Sequence, residues 1–123
     1  MKWRAHKVLV CGGRHYDNLD RVYHVLDVVH ARVGPAMMVV AGGASGADEI
    51  ARQWAVERKV DHQILYAKWG LQGKAAGPIR NRRMLSKKPK EVVAFHENIA
   101  ESRGTADMVA VARKAGVKVK VYR

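Results

Sequence analysis

The fold of this chain is set by the stretch Val39-Val40-Ala41-Gly42-Gly43-Ala44-Ser45-Gly46-Ala47-Asp48. An apolar run from Met37 to Ala41 precedes the glycines, and apolar residues recur at helical spacing after them. This pattern predicts a buried strand, a tight turn and the start of a helix. Glycine lets a backbone turn sharply and approach a ligand, and free N–H groups at a helix start hold anions. A packing turn without a ligand would use the same glycines, so the rest of the chain must decide.

Strand and helix patterns alternate along the whole chain. Besides the opening stretch, short apolar runs predict strands at residues 8–11, 62–66, 92–95 and 117–121. Helical patterns lie between the strands, four in all. This alternation predicts an α/β fold, with residues 1–123 forming a single Rossmann-like three-layer domain. The five-stranded sheet is expected to be mostly parallel, with strand order 3-2-1-4-5.

Several local signals refine this prediction. Asp17 is predicted to cap the first helix, and Gly116 to end the last one. Residues 67–78 are predicted to form a long loop, which in a compact domain is often functional. A helix over residues 79–85 follows. The apolar stripe of the first helix is predicted to consist of Leu19, Val22, Leu26 and Val29, and the later helix shares one side among Ile79, Arg83 and Met84.

Charge is the unusual property of the composition. The formal net charge is +12 over 123 residues. Between residues 62 and 90 there is no acidic residue. This stretch is either a solvated basic face or an electropositive rim around a phosphate-bearing ligand. Its basic residues are Lys68, Lys74, Arg80, Arg82, Arg83, Lys87, Lys88 and Lys90.

Other features narrow the function classes. No apolar run is long enough to span a bilayer, and no signal-peptide apolar region follows the basic start at residues 1–7. The single cysteine, Cys11, excludes an intramolecular disulfide and predicts a buried residue in a cytoplasmic protein. The six histidines show no ligand spacing, so neither a metal nor a cofactor is predicted.

Three glycine-containing loops of the predicted fold end at one edge of the sheet. They are residues 12–14, 42–48 and 102–105. Ligands of such sheets bind at the carboxyl ends of strands, where the winding reverses, here between strands one and four. The signatures G-x-G-x-x-G and G-x-x-x-x-G-K-[ST] are absent. The predicted anion pocket comprises Gly12, Gly13, Arg14, Gly42, Gly43, Ser45, Gly46, Asp48, Arg80, Asn81, Gly104 and Thr105.

Backbone donors carry part of this predicted pocket. The N–H groups of residues 43–46 would cradle a phosphate, and the Ser45 hydroxyl would add a donor. Gly104 and Thr105 would form a second nest at the start of a helix.

Side chains carry the rest. Arg14 and Arg80 suit bidentate contacts to phosphate or carboxylate. Asp48 would either accept hydrogen bonds from a ribose or only favour the helix dipole. Trp69 would either stack on a base or anchor its own loop.

Four motifs in order along nearly the whole chain resemble a known family. They are VCGGR at 10–14, GGASGAD at 42–48, AGPIRNRRM at 76–84 and GTADM at 104–108. This series resembles the YspA-related branch of the SLOG superfamily, named for the Smf/DprA and LOG proteins. The resemblance implies a Rossmann-like fold that binds nucleotides or nucleotide-derived ligands. In LOG proteins it implies a phosphoribohydrolase that cleaves the N-glycosidic bond of a nucleoside monophosphate, and LOG relatives often form homodimers.

The chain departs from the LOG motif at one decisive place. Met108 holds the position of the LOG glutamate, and Asp107 is one residue away, about 100° around a helix. The LOG carboxylate therefore does not carry over. An oxocarbenium-like transition state still needs a nearby anion, and Asp48 and Asp107 are the candidates.

Two functions follow from these observations. The first is binding of a nucleotide or phosphoribosyl-type small molecule, as a sensor or as a hydrolase. The alternative is single-stranded nucleic-acid binding, which the charge and the resemblance to DprA relatives suggest. The glycine loops fit a compact pocket better than a long groove, and the aromatic content is only 7%, so the first is favoured.

Overall fold

The structure is a computed structural model that describes residues 5–123, so part of the basic start at 1–7 lies outside the described residues. Five strands alternate with helices along these residues. The strands are β1 His6–Gly12, β2 Met37–Gly42, β3 Asp61–Leu65, β4 Glu91–Phe95 and β5 Lys118–Tyr122. The helices are α1 Leu19–Val33, α2 Ala47–Arg58, α3 Trp69–Gln72, α4 Ala76–Ser86 and α5 Gly104–Lys114.

All the strand pairs are parallel, and the order is β3-β2-β1-β4-β5. Val10 pairs with Ala41 of β2 and with Val93 of β4. The predicted α/β architecture and strand order are therefore confirmed. The winding reverses between β1 and β4, since β1 lies between β2 and β4.

The central strands are buried on both faces, because helices cover each side of the sheet. Val8 and Val10 belong to the core shared with α1 and α2, whereas Leu9 and Cys11 belong to the core shared with α4 and α5. Trp54 of α2 is fully buried, and its Nε1 donates to Asp27 Oδ1 at 2.8 Å. One core therefore covers each face of the sheet.

The predicted start of α1 was one residue early. Asn18, not Asp17, is the N-cap, and its Oδ1 accepts from Arg21 N at 3.0 Å. Leu19, which was predicted to face the core, is 45% exposed, whereas Val25, which was not in the predicted stripe, is buried. Leu19 is the first residue of the helix, and the buried stripe begins one turn later, at Val22.

The long loop predicted at 67–78 is mostly helical. It contains α3, a 3-10 turn at Gly73–Ala75, and the start of α4. Pro78 is tolerated as the third residue of α4, since N–H groups in a first turn have no partner inside the helix. The buried side of α4 consists of Ala76, Gly77, Asn81 and Met84, whereas Ile79 and Arg83, predicted on the same side as Met84, are exposed.

Gly116 adopts a φ of +80° just after α5, and its N–H donates to Arg113 O at 3.0 Å. The predicted helix end is confirmed, since a positive φ at this position favours glycine. None of the helices within residues 5–123 is long and apolar enough to cross a membrane.

Candidate ligand-binding site

The loops after β1 and β2 are locked together at the carboxyl edge of the sheet. Ala47 N donates to Gly13 O at 3.2 Å, and Ser45 Oγ donates to Arg14 O at 2.9 Å. Gly46 has a φ of +73°, and a Cβ there would fall under 3.0 Å from the Gly13 carbonyl oxygen. The two predicted glycine loops are therefore in contact. The Ser45 hydroxyl and the Ala47 N–H, at the start of α2, are thus engaged in holding the loop after β1.

Arg80 and Asp48 are brought together above the end of β2. A Cβ on Gly42 would lie 2.8 Å from Asp48 Oδ2 and within 3.0 Å of the Arg80 guanidinium. Asp48 comes from the first turn of α2, and Arg80 from α4 on the other face of the sheet. A glycine at position 42 therefore leaves room for an acid and a base from opposite layers to lie over the same backbone position.

Asp48 is the most perturbed carboxyl of the site. It is 5% exposed, and Ala44 N donates to its Oδ2 at 3.2 Å. Burial raises the pKa of Asp48 to about 6, against the opposing effects of Arg80 and of the Ala44 hydrogen bond. A carboxyl that titrates near neutral pH beside a guanidinium is typical of a functional site.

Arg80 is held at two points. Its Nη1 donates to Leu65 O at 3.4 Å, and its Nε donates to Asn81 Oδ1 at 3.3 Å. A guanidinium has five N–H donors, so it has further capacity beyond these contacts. The side chain is only partly buried.

Asn81 is 2% exposed and binds within the protein. Its Nδ2 donates to Gly104 O at 3.1 Å and to Asp107 Oδ2 at 3.0 Å. Asn81 therefore joins Arg80 to the start of α5.

Some of the hydrogen-bonding groups at the start of α5 already have partners within the protein. Thr105 N donates to Ser102 Oγ at 3.0 Å, and Thr105 is buried. Asp107 accepts hydrogen bonds from Asn81 and, at 3.4 Å, from Arg82 Nη1. Asp48 instead lies at the end of β2, so the two candidate carboxyls occupy different places.

Cys11 lies beneath this site and is buried, as predicted. Burial raises the pKa of the Cys11 thiol, the Asp48 carboxylate raises it further, and Arg80 lowers it. A thiol held protonated in this way is unsuited to nucleophilic attack.

Two residues at this edge were not recognised from the sequence. The Tyr66 ring lies against Gly43 and is 64% exposed, and the His96 ring lies over Gly13. Tyr66 follows β3 and His96 follows β4 directly. Tyr66 was predicted to lie inside the third strand, and His96 was not among the predicted site residues. The signal that could have found them is their position, the first residue after a parallel strand.

The basic stretch at 62–90 is divided between the two ends of the sheet. Lys68 and Lys74 flank α3 just after β3. Lys87 and Lys90 lie near the amino end of β1, where Lys7 Nζ donates to Lys87 O at 3.1 Å and Lys90 N donates to Lys7 O at 2.8 Å. The stretch therefore is not a single rim around the carboxyl edge.

Clefts open at both ends of the sheet. One of about 340 Å³ lies at the amino ends of β2 and β3, between Gly34, Met37 and Lys59. A smaller one of about 150 Å³ lies beside Gly13 and His96, at the point where the winding reverses. Of the three predicted glycine loops, only the loop after β1 lines the smaller cleft, with Gly13 and Arg14. Within residues 5–123, no three His, Cys, Asp or Glu side chains are grouped as a metal site would require.

A solved structure of DNA processing protein A (DprA) from Streptococcus pneumoniae has a similar fold. It superposes with a TM-score of 0.56 at 16% sequence identity, over 96% of this chain and 59% of that chain. This chain therefore spans little more than half the length of that protein, and at this identity the likeness concerns the fold.

Sequence comparisons are more specific. The gene 61 protein of Mycobacterium phage D29 is 34% identical over 119 residues, which cover 92% of this chain and 93% of that protein. The model of the YspA, cpYpsA-related SLOG family matches residues 6–71, more than half of the chain and including the loops after β1 and β2. The chain, with its Rossmann-like sheet, thus belongs to the YspA, cpYpsA-related SLOG family.

Proposed function

We propose that this protein binds a nucleotide or a nucleotide-derived, phosphoribosyl-type ligand at the carboxyl edge of the sheet. The observation that carries the proposal is the meeting of Arg80 and buried Asp48 above Gly42. The ligand expected there has hydroxyl donors and anionic oxygens close together. A ribose phosphate has both.

The two side chains have complementary roles in this proposal. Arg80 donates to oxygen atoms of the ligand with N–H groups that Leu65 O and Asn81 Oδ1 leave available. The Asp48 carboxylate accepts hydrogen bonds from ribose hydroxyls. With a pKa of about 6, Asp48 is partly protonated near neutral pH and can also exchange a proton there.

The proposal has a binding form and a hydrolase form. In the hydrolase form, Asp48 is the anion beside the positive charge that develops when an N-glycosidic bond breaks. Asp107 is less suited, because Asn81 and Arg82 already bond to its Oδ2. Incubation with a panel of nucleoside monophosphates, followed by chromatography for free base, separates the forms: release indicates a hydrolase, and binding without release indicates a sensor.

Arg80→Ala is expected to weaken binding of nucleoside monophosphates or ADP-ribose by about tenfold or more, since hydrogen bonds to charged groups contribute about 1.5–3 kcal/mol. Isothermal titration calorimetry measures the effect. Arg83→Ala is the matched control, because Arg83 lies exposed on the same helix and should leave affinity unchanged. If none of these ligands binds the unmodified protein at millimolar concentration, the proposal is wrong.

A second candidate function is binding of single-stranded nucleic acid. The surface around α3 favours it: Trp69 is 57% exposed between Lys68 and Lys74, which are both exposed. An aromatic ring next to lysines can stack on a base while the lysines neutralise phosphates. The Trp69 ring also lies 3.2 Å from where a Cβ of Gly77 would be, so the same side chain anchors α3 on α4.

The second candidate predicts that the logarithm of affinity for an oligonucleotide falls linearly with the logarithm of salt concentration. Trp69→Ala is expected to cost about 1–3 kcal/mol of binding, as loss of one stacked base does. Leu71→Ala is the control, since Leu71 is 84% exposed on the same short helix and has no ring to stack. Fluorescence anisotropy with labelled single strands measures both, and absence of binding at low salt rules this function out.

A further inference from the structure

His96 has a fixed orientation at the end of β4. Its N–H donates to Tyr122 O at 2.9 Å, which keeps its backbone in line with β5. Its side-chain Nδ1 accepts the N–H of Asn98 at 2.9 Å. A backbone N–H can only donate, so Nδ1 must carry a lone pair. The proton of the neutral ring therefore resides on Nε2.

The Nε2 edge of His96 faces Gly13. A Cβ on Gly13 would lie 3.3 Å from Nε2 and 3.0 Å from Cδ2, closer than side chains normally pack. A glycine at this position keeps the Nε2–H edge uncovered. The cleft of about 150 Å³ opens here, and its lining residues are Gly13, Arg14, His15, Tyr16, His96 and Glu97.

The other groups of this cleft favour an anion. Arg14 and His15 are exposed on one wall. The Gly13 carbonyl oxygen already accepts from Tyr16 N and Ala47 N, both at 3.2 Å, so its lone pairs are engaged within the protein. Glu97 is the one acidic residue of the lining, and it is exposed to solvent.

The cleft has room for a phosphoryl group, with a volume of about 150 Å³, and it is open to solvent on one side. A nucleotide whose phosphate lies here can extend past Gly13, and Arg80 and Asp48 lie on the other side of that loop.

We infer that the cleft between residues 13–16 and His96 is a phosphoryl subsite, in which His96 Nε2–H and Arg14 donate to the phosphate of the ligand. This inference rests on the proposed function and adds a separate place and a specificity-determining residue for the phosphate. His96 then decides whether a phosphorylated ligand is preferred over the free nucleoside.

The test compares nucleoside monophosphates with the matching nucleosides by calorimetry. The unmodified protein is expected to bind the monophosphate more tightly than the nucleoside. His96→Ala is expected to lower the affinity for the monophosphate about tenfold and to leave the affinity for the nucleoside unchanged. His96→Gln is the rescue variant, because a glutamine amide can place an N–H near the position of Nε2. Glu97→Gln is expected to strengthen monophosphate binding, since it removes the like charge at the cleft.

The outcomes separate the two proposals. If the unmodified protein, His96→Ala and His96→Gln all bind monophosphates with the same affinity, the subsite is wrong and the proposed function stands. If nothing binds the unmodified protein, both are wrong. A second measurement needs no ligand: ¹⁵N-resolved NMR of the histidine rings should show His96 protonated at Nε2, and protonation at Nδ1 alone would overturn the inference.

Discussion

Gly46→Ala is expected to lower the free energy of unfolding by about 2–4 kcal/mol more than Gly34→Ala does. The two glycines share one backbone conformation, with φ +73° and ψ −128° at Gly46 and φ +80° and ψ −155° at Gly34. This region is almost restricted to glycine, so both substitutions carry a backbone cost of about 1–3 kcal/mol. The difference between them therefore isolates packing.

Packing differs sharply at the two positions. A Cβ on Gly34 meets nothing within 4 Å, whereas a Cβ on Gly46 falls under 3.0 Å from backbone atoms of Gly13 and Arg14. Backbone atoms cannot turn aside as a flexible side chain can. The loops must separate, which also strains the hydrogen bonds from Ala47 N and Ser45 Oγ.

Urea denaturation of both variants measures the difference, with the slope against urea concentration checked for constancy. Equal losses in the two variants would mean that the loops after β1 and β2 are not in contact. Gly46→Ala should also lower the affinity for any ligand that binds at the carboxyl edge of the sheet, because both loops contribute to that edge.

Asp48→Asn is expected to stabilise the protein by about 2–3 kcal/mol at pH 8, since one pKa unit corresponds to about 1.4 kcal/mol. Burial raises the pKa of Asp48 from 3.8 to about 6, so the folded protein pays to keep this carboxylate charged at neutral pH. A neutral amide of the same shape removes that cost. It can still accept from Ala44 N, and Arg80 keeps its contacts to Leu65 O and Asn81 Oδ1.

The pH dependence has a definite sign. Between about pH 4 and pH 6 the folded protein holds the Asp48 proton and the unfolded chain has released it, so Asp48 makes stability fall as pH rises through this window. Asp48→Asn should lack this slope and match the unmodified protein near pH 4. Chemical unfolding at a series of pH values measures it. Lower stability of Asp48→Asn at pH 8 would contradict the prediction and indicate that the attraction between the Asp48 carboxylate and Arg80 outweighs the cost of burial.

Asp27→Asn is the control of opposite sign. The hydrogen bond from Arg58 lowers the pKa of Asp27, and Trp54 Nε1 also donates to its carboxylate. The stability that Asp27 contributes is present at neutral pH and is lost as pH falls through its folded pKa. Asp27→Asn should therefore destabilise at pH 8, where Asp48→Asn stabilises. A side chain that costs stability at the working pH is expected where function requires its charge.

The sequence predicts local structure correctly where the residues that determine it are close together in the chain. The turn at residues 42–46 and the start of α2 follow from glycines next to an apolar strand, and β2 and α2 lie on either side of them. The reading of 67–78 as a loop was wrong because packing of the Trp69 ring on Gly77 supports α3, and nothing local signals that contact.

The sequence by itself determined the α/β alternation, the order of the strands and the loops that end at the carboxyl edge, because periodicity and glycine turns are local properties and crossover handedness limits the topology. The tertiary structure alone decided which polar groups come together. Arg80 and Asp48 come from opposite layers to lie over Gly42, Asn81 is hydrogen-bonded to α5, and the His96 ring turns its Nε2 to Gly13. These contacts join residues tens of positions apart, and burial, which only the folded chain creates, moves the pKa of Asp48.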